Sequence, residues 1–271
     1  NHIYLKTGFS FEKYMLITIL KSVIWLEKIH QENIFNQNFV ERFAMKSSSP
    51  FITIVKKAAQ LMAGYALYGL GIVMTINADK GLAPWGVLHQ GLSMKLGITI
   101  GRASQLVGAV VIILDILLGQ RIGWGTIGNV TFIGFFIDLF TINHIVPVYE
   151  NVLASYAEMM IGMVIMALAT YLYLSVQLGA GPRDGLMIAL TKRIPLPVGL
   201  IRNLIEVGVV VAGYFLGGSV GLGTLVMAIG LGRLIQLFFG LFKFDVRKVK
   251  HRYVDEDFAF LFRHIRNTNG K

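Results

Sequence analysis

Asp115 stands inside the apolar run Ile112-Ile-Leu-Asp-Ile-Leu-Leu118. A charge is expensive there, so it should face an interior and find a partner. Arg202 and Glu206 are four apart on another apolar stretch, the spacing that brings two side chains to one helix face, where they can pair. Such a pair either neutralises itself or meets a substrate or a proton. Trp85 follows Pro84, and Arg183-Asp184 follows Pro182. Proline suits the first turn of a helix, where unpaired N–H groups favour anions. Arg183 would strengthen an anion site, and Asp184 would join it or cap the helix. His89 and Ser93 share a face of the first proline-led helix, and His89 alone is a packing or site residue rather than a metal ligand. The candidate binding set is therefore Trp85, His89, Asp115, Arg183, Asp184, Arg202 and Glu206. Asp138, near the end of its apolar run, is expected to reach the interface.

No catalytic set emerges. A paired His–carboxylate metal motif and a serine nucleophile motif are both missing from the sequence. The absence of cysteine excludes disulfides, thiol catalysis and cysteine-held metals. Gly179-x-Gly181 has no βαβ context, and there is no phosphate-binding loop to couple ATP. Neither an enzyme nor a bound cofactor or metal is expected.

These residues need a frame, and the composition names its solvent. Of 271 residues, 55% are hydrophobic and 15% charged, with a mean hydropathy of +0.64; soluble domains carry about 25% charged residues. Stretches such as 58–76, 127–142, 152–176 and 225–242 approach or exceed the roughly 20 residues that cross a bilayer. They lack strand alternation, which favours helices over a barrel. The lipid bilayer is thus the first partner. The net charge of +10 gathers at the ends. Lys46, Lys56 and Lys57 precede the first strong span, and Lys243, Arg247, Lys248, Lys250 and Arg252 follow the last. That asymmetry predicts cytoplasmic termini. With no RNA- or DNA-binding motif beside it, it does not point to nucleic acid.

The frame is written twice. Shifted by 98 positions, residues 81–140 lie on 179–238 without a gap. Gly81 meets Gly179, Pro84 meets Pro182, Gly101 meets Gly199, and Gly123-x-Gly125-Thr126 meets Gly221-x-Gly223-Thr224. Each repeat reads as a long apolar helix, a Gly-rich turn, a short helix from Pro84 or Pro182 to Leu96 or Ile194, a span, the GxGT turn and a last span. Pro84–Leu96 has 13 residues and covers about 20 Å, short of the roughly 30 Å hydrocarbon core. The short helices are therefore partial or re-entrant. If they do not count as crossings, each repeat has three spans and the halves are inverted; if they do, the arrangement is parallel, four plus four. Length favours inversion.

The predicted organisation is an all-α polytopic protein of two tandem repeats. Residues 1–50 form an extension outside the repeats, interfacial around 11–30 or non-native; 51–145 and 146–243 are the repeats; 244–271 is a basic tail. In the tail, Phe258, Phe260, Leu261 and Phe262 would dock on the membrane or pack a short helix. Gly64, Gly69, Gly71, Gly208 and Gly213 are expected at close helix contacts.

Gly81-Leu-Ala-Pro-Trp-Gly-Val-Leu-His-Gln-Gly-Leu-Ser93, Gly123-Trp-Gly-Thr-Ile-Gly-Asn129 and Gly134-Phe-Phe-Ile-Asp138 resemble the YczE/YitT-like family of bacterial integral membrane proteins. So do Gly179-Ala-Gly-Pro-Arg-Asp-Gly-Leu-Met187 and Arg202-Asn-Leu-Ile-Glu206, the resemblance covering about 52–242. It implies a multi-pass protein of the bacterial plasma membrane. The family motif often has an acidic residue after Pro-Trp; here Gly86 takes that place, while Asp184 keeps the acid in the second half. Repeats, broken helices and polar groups at membrane depth are the build of a small-solute permease or secondary transporter, its site between the repeats and its solute anionic or zwitterionic. The competing class is a membrane assembly or regulatory partner in which the repeat is only a packing device. A polar cavity between the repeats would favour the first, a sealed apolar interface the second.

Overall fold

The computed structural model describes residues 50–246, 249 and 251–257. The stretch 11–30, Lys46, Arg247, Lys248, Lys250 and the aromatic segment 258–262 lie outside the described residues. The chain divides into two compact units, Asn1–Lys56 and Lys57–Lys271. Of the first, only the opening of a helix is described; the second holds the helical bundle and the site.

Among the described residues the architecture is helical, without strands, and the principal helices are eight: α1 (Pro50–Asn77), α2 (Pro84–Leu96), α3 (Ile100–Leu117), α4 (Trp124–Ile142), α5 (Val152–Ser175), α6 (Pro182–Thr191), α7 (Val198–Phe215) and α8 (Leu222–Leu241). Six are long and apolar enough to cross a bilayer; the short α2 and α6 are not. Outward faces carry exposed Ile113, Leu117, Phe215, Leu222 and Leu225. Apolar surface on this scale marks a protein whose outside meets lipid or a partner.

Local chemistry sets the ends of the helices. α2 and α6 each begin at a proline, whose missing N–H costs nothing in a first turn. α2 ends at Gly97 in the left-handed conformation, its N–H returning to the Ser93 carbonyl, a conformation glycine adopts without penalty. The Thr99 side chain caps α3 by accepting from the Arg102 N–H at 3.2 Å. Thr99 Oγ1 in turn donates to Asp138 Oδ2 at 2.6 Å, and the Gly101 N–H donates to Asp138 Oδ1 at 2.8 Å. Asp138 is thus the acid that anchors the start of α3. α6 stops at Thr191, three residues before the predicted Ile194, because Pro195 disfavours helical backbone in the residue before it.

The core runs along α1 and α5, which lie antiparallel. Gln60 Nε2 near the start of α1 donates to the Leu172 carbonyl and Ser175 Oγ near the end of α5, at 3.0 and 2.7 Å. Further along α1, Gly71 packs on Gly162 and Met166 of α5. Asn77 Nδ2 at the end of α1 donates to the Val146 carbonyl, 2.9 Å away between α4 and α5. Tyr65, Val73, Ile133, Ile137, Tyr173 and Leu174 form one buried cluster; Met159, Met163, Met166 and Met227 form another with Ala78. Gly64, Gly69, Gly71 and Gly213 sit at tight contacts as expected, but Gly208 faces open space, with nothing within 4 Å of the place a Cβ would take.

Candidate functional site

Two loop exchanges hold the site together. The Gly125 N–H at the start of α4 donates to the Leu178 carbonyl ahead of α6, at 2.7 Å. The Gly223 N–H at the start of α8 donates to the Lys80 carbonyl ahead of α2, also at 2.7 Å. Thr126 Oγ1 adds a 2.7 Å bond to the Ala180 carbonyl. Gly81 and Gly179 have φ of +102° and +126°, a region open to glycine and strained for other residues. A Cβ on Gly81 would also stand 2.5 Å from the Gly221 nitrogen. The loops before the two short helices are therefore fixed, each by the glycine turn of the other part of the chain.

This fixing brings the first turns of α2 and α6 to one cavity of about 180 Å³, to whose wall all eight helices or their leading loops contribute. The Arg183 guanidinium lies over the Trp85 ring, 4.8 Å from its centre, within cation–π range. Of the seven sequence-derived residues, Trp85, His89, Arg183, Asp184, Arg202 and Glu206 line the cavity. Arg202 Nε and Glu206 Oε1 form the anticipated ion pair at 3.0 Å. Asp184 does not cap α6, which starts at Pro182 after Gly181 without a side-chain cap. Ser93 does not join His89: its hydroxyl donates to the Ile98 carbonyl at the far end of α2.

Asp115 stands apart from the cavity wall. It is buried, 1% exposed, on α3. Its carboxylate occupies the space a side chain at Gly185 would need, with Oδ2 2.5 Å from that Cβ position, one residue beyond Asp184. Neither of its oxygens has a hydrogen-bond partner among the described residues.

Tyr68, Ser104, Asn129, Thr170 and Tyr173 stand on the same wall, and none of them is marked by a local pattern in the sequence. The internal shift carries a usable signal for one of them: Ser104 and Gly108 lie 98 positions before Arg202 and Glu206, and both line the cavity. Glu158, 3% exposed on α5, is a second buried carboxylate without a partner among the described residues. Its place in the apolar run Val152–Val176 is the signal that points to it.

The tail closes over one end of the site's loops. The Arg252 N–H donates to the Gln177 carbonyl at 2.9 Å, and the Val254 N–H to the Ile122 carbonyl at 3.0 Å. Arg121 binds Asp255 and Glu256, both ion pairs at 2.8 Å, and stacks on Tyr253 at 4.3 Å. His251 Nδ1 accepts the Gly179 N–H at 3.2 Å. Burial pushes the His251 imidazole below the usual histidine range, against a backbone hydrogen bond to Gln177 and the charge of Asp184, which both pull upward.

The model of the Family of unknown function (DUF6198) matches residues 55–240. A protein of Haemophilus influenzae, described as an uncharacterized protein, is 31% identical over 205 residues, 74% of this chain and 92% of that one. The uncharacterized membrane protein YczE of Bacillus subtilis is 33% identical over 178 residues, 64% of this chain and 81% of its own. YyaS of the same organism is 29% identical, covering 65% and 88%. No solved structure matches. With six apolar helices and a membrane-protein relative, the chain is a multi-pass membrane protein.

Proposed function

This chain belongs to the YczE-like membrane proteins of the Family of unknown function (DUF6198), and on that premise we propose that it is a small-solute permease or secondary transporter rather than an enzyme. The observation that carries this is the meeting of two short-helix first turns, Trp85 against Arg183, at a cavity of mixed polar and apolar lining that holds four charged side chains, inside a bundle with an apolar exterior. Half-helix N-termini at membrane depth present oriented N–H groups to a solute. About 180 Å³ holds several waters at roughly 30 Å³ each, or one small metabolite. Arg183 and Arg202 share the wall with Asp184 and Glu206. This balance suits an anionic or zwitterionic solute and favours the zwitterion, whose two charges would each find an opposite.

We further propose that 51–145 and 146–243 are inverted repeats. Support comes from the antiparallel α1 and α5, which the 98-residue shift makes equivalent. The matching exchanges Gly125 to Leu178 and Gly223 to Lys80 also lie 98 apart at both ends. So do wall pairs such as Pro84 and Pro182, Trp85 and Arg183, Ser104 and Arg202, and Val130 and Ala228. A parallel arrangement would leave Asn77 and Val146 at opposite faces. In the inverted one the start of α1 and the tail share a face, which the flanking Lys56, Lys57 and Lys243 make cytoplasmic in a bacterial plasma membrane. Reporter fusions after residues 50 and 250 check this, both signals being cytoplasmic; an external signal at either refutes it.

The functional test is a thermal-shift screen of purified protein against small anionic and zwitterionic metabolites, followed by uptake into vesicles. Arg183→Gln should remove the ligand-induced shift and the uptake, while moving the ligand-free unfolding midpoint by only a few degrees. If that variant unfolds and wild-type protein moves no solute, Arg183 is a structural residue and an assembly or regulatory role takes over.

A further inference from the structure

Asp115 is unexplained by packing. Its carboxylate is buried on every side, has no donor or cation beside it among the described residues, and sits against the first turn of α6 where Gly185 makes room. An unpaired carboxylate in such a place forfeits its hydration with nothing in return, and in a membrane helix the cost is higher still. A protonated carboxyl avoids most of that cost and keeps one transferable hydrogen. Asp184, on the residue before Gly185, lines the cavity and is near enough for its charge to act on Asp115. Arg202 of α7, Arg183 of α6 and His251 of the tail act in turn on Asp184. Asp115 thus sits one layer behind the wall, against the same first turn of α6 that carries Asp184 into the cavity. Glu158 offers a useful contrast. It is also buried and without a hydrogen-bond partner among the described residues, but it lies on α5, and nothing places it against the cavity-lining first turn of α6 as Gly185 places Asp115.

We propose that Asp115 is a proton-binding site, loaded from the cavity through Asp184, that couples solute movement to proton movement. The coupling rests on the permease reading; the proton site does not. In loading, a proton from cavity water bonds to an Asp184 carboxylate oxygen and is handed by way of a water between the two carboxyls to Asp115, leaving Asp184 ionised and Asp115 neutral. Unloading reverses these steps. No oxidant, reductant or second substrate is needed. The division of labour follows from position: Asp184 meets the solute's charge, and Asp115 stores the proton beyond the solute's reach.

The test needs no solute. Infrared difference spectra of the wild-type protein in lipid vesicles, recorded across a pH titration, should show a protonated-carboxyl band that disappears as pH rises. The band should be lost in Asp115→Asn and should titrate over a shifted range in Asp184→Asn. Because Asp115→Asn could fail to fold, a second measurement uses the native chain. An apolar carbodiimide, which reacts with protonated carboxyls in apolar sites, should modify the peptide containing Asp115, with labelling falling as pH rises. Absence of both the band and the adduct overturns the proposal. So does a signal that follows sodium concentration instead of pH, which would make Asp115 a cation ligand. If Asp115 titrates as described yet no solute is moved and Arg183→Gln changes no ligand response, the proton site stands and the permease reading, with the coupling, falls.

Discussion

Gly101 and Gly208 look alike in the sequence, each a small residue in an apolar helix, yet the structure gives them opposite surroundings. A Cβ at 101 would collide with the Gly134 carbonyl and the Asp138 carboxylate that anchors α3, while one at 208 would meet nothing within 4 Å. Overpacking of this kind costs about 1–3 kcal/mol. Gly101→Ala should therefore lower the thermal unfolding midpoint clearly, and Gly208→Ala should leave it in place; scanning fluorimetry of both in one detergent decides. The contrast also shows what a single sequence conveys at this scale. It marks polar residues that do not belong in lipid, so Asp115 is visible in it as a member of an interior, and Arg202 and Glu206 as a pair on one helix face. It does not say which neighbour waits for them. The partners of Asp138 are Thr99 and Gly101, 39 and 37 positions away, and no local pattern announces them. The void that admits Asp115 is the missing side chain of Gly185, 70 positions further on.

The helices themselves are more legible than their contacts. Apolar runs, prolines at first turns and glycines at turns are local signals, and α1, α2, α3, α4, α5, α7 and α8 fall close to where those signals put them. α6 is three residues shorter than its apolar pattern suggests, because the constraint from Pro195 outweighs the apolar Ile194. The capping of α3 gives a prediction at this scale. Thr99 accepts from the Arg102 N–H and donates to Asp138, so Thr99→Val removes a cap and leaves a carboxylate oxygen short of a donor. Loss of a cap costs about 0.5–2 kcal/mol, and hydrogen bonds to charged groups contribute about 1.5–3 kcal/mol. The variant should unfold at lower temperature than wild type. Thr99→Ser, which keeps the hydroxyl, should recover most of the loss. Equal midpoints for the valine and serine variants would show that the cap contributes nothing.

Across the whole molecule, the tail is tied to the loops ahead of α4 and α6 at one end of the bundle, and His251 makes that tie sensitive to acid. The imidazole accepts the Gly179 N–H and its folded pKa lies below the usual histidine value. The unfolded or released tail therefore takes up a proton more readily than the bound one. The contact contributes fully above the ordinary histidine range, near 6.5, and is lost as pH falls through the depressed value. Limited proteolysis should cut within 251–257 faster at about pH 5 than at about pH 8, and His251→Phe, which cannot accept the hydrogen bond, should erase most of that difference. A cleavage rate independent of pH in the wild type would remove His251 from this role. The reciprocal loop exchange reaches back further, into biosynthesis. A ribosome delivers the Gly125 N–H to the membrane long before Leu178 exists, and Lys80 waits longer still for Gly223. During that interval the first four helices carry a loop without its tether and a short helix without its seat. Nascent chains halted before residue 178 should thus be open to protease and to insertion-factor crosslinking, and chains extended past residue 223 should close to both, so that completion of the bundle is an event of synthesis timed by the arrival of two carbonyl–amide pairs.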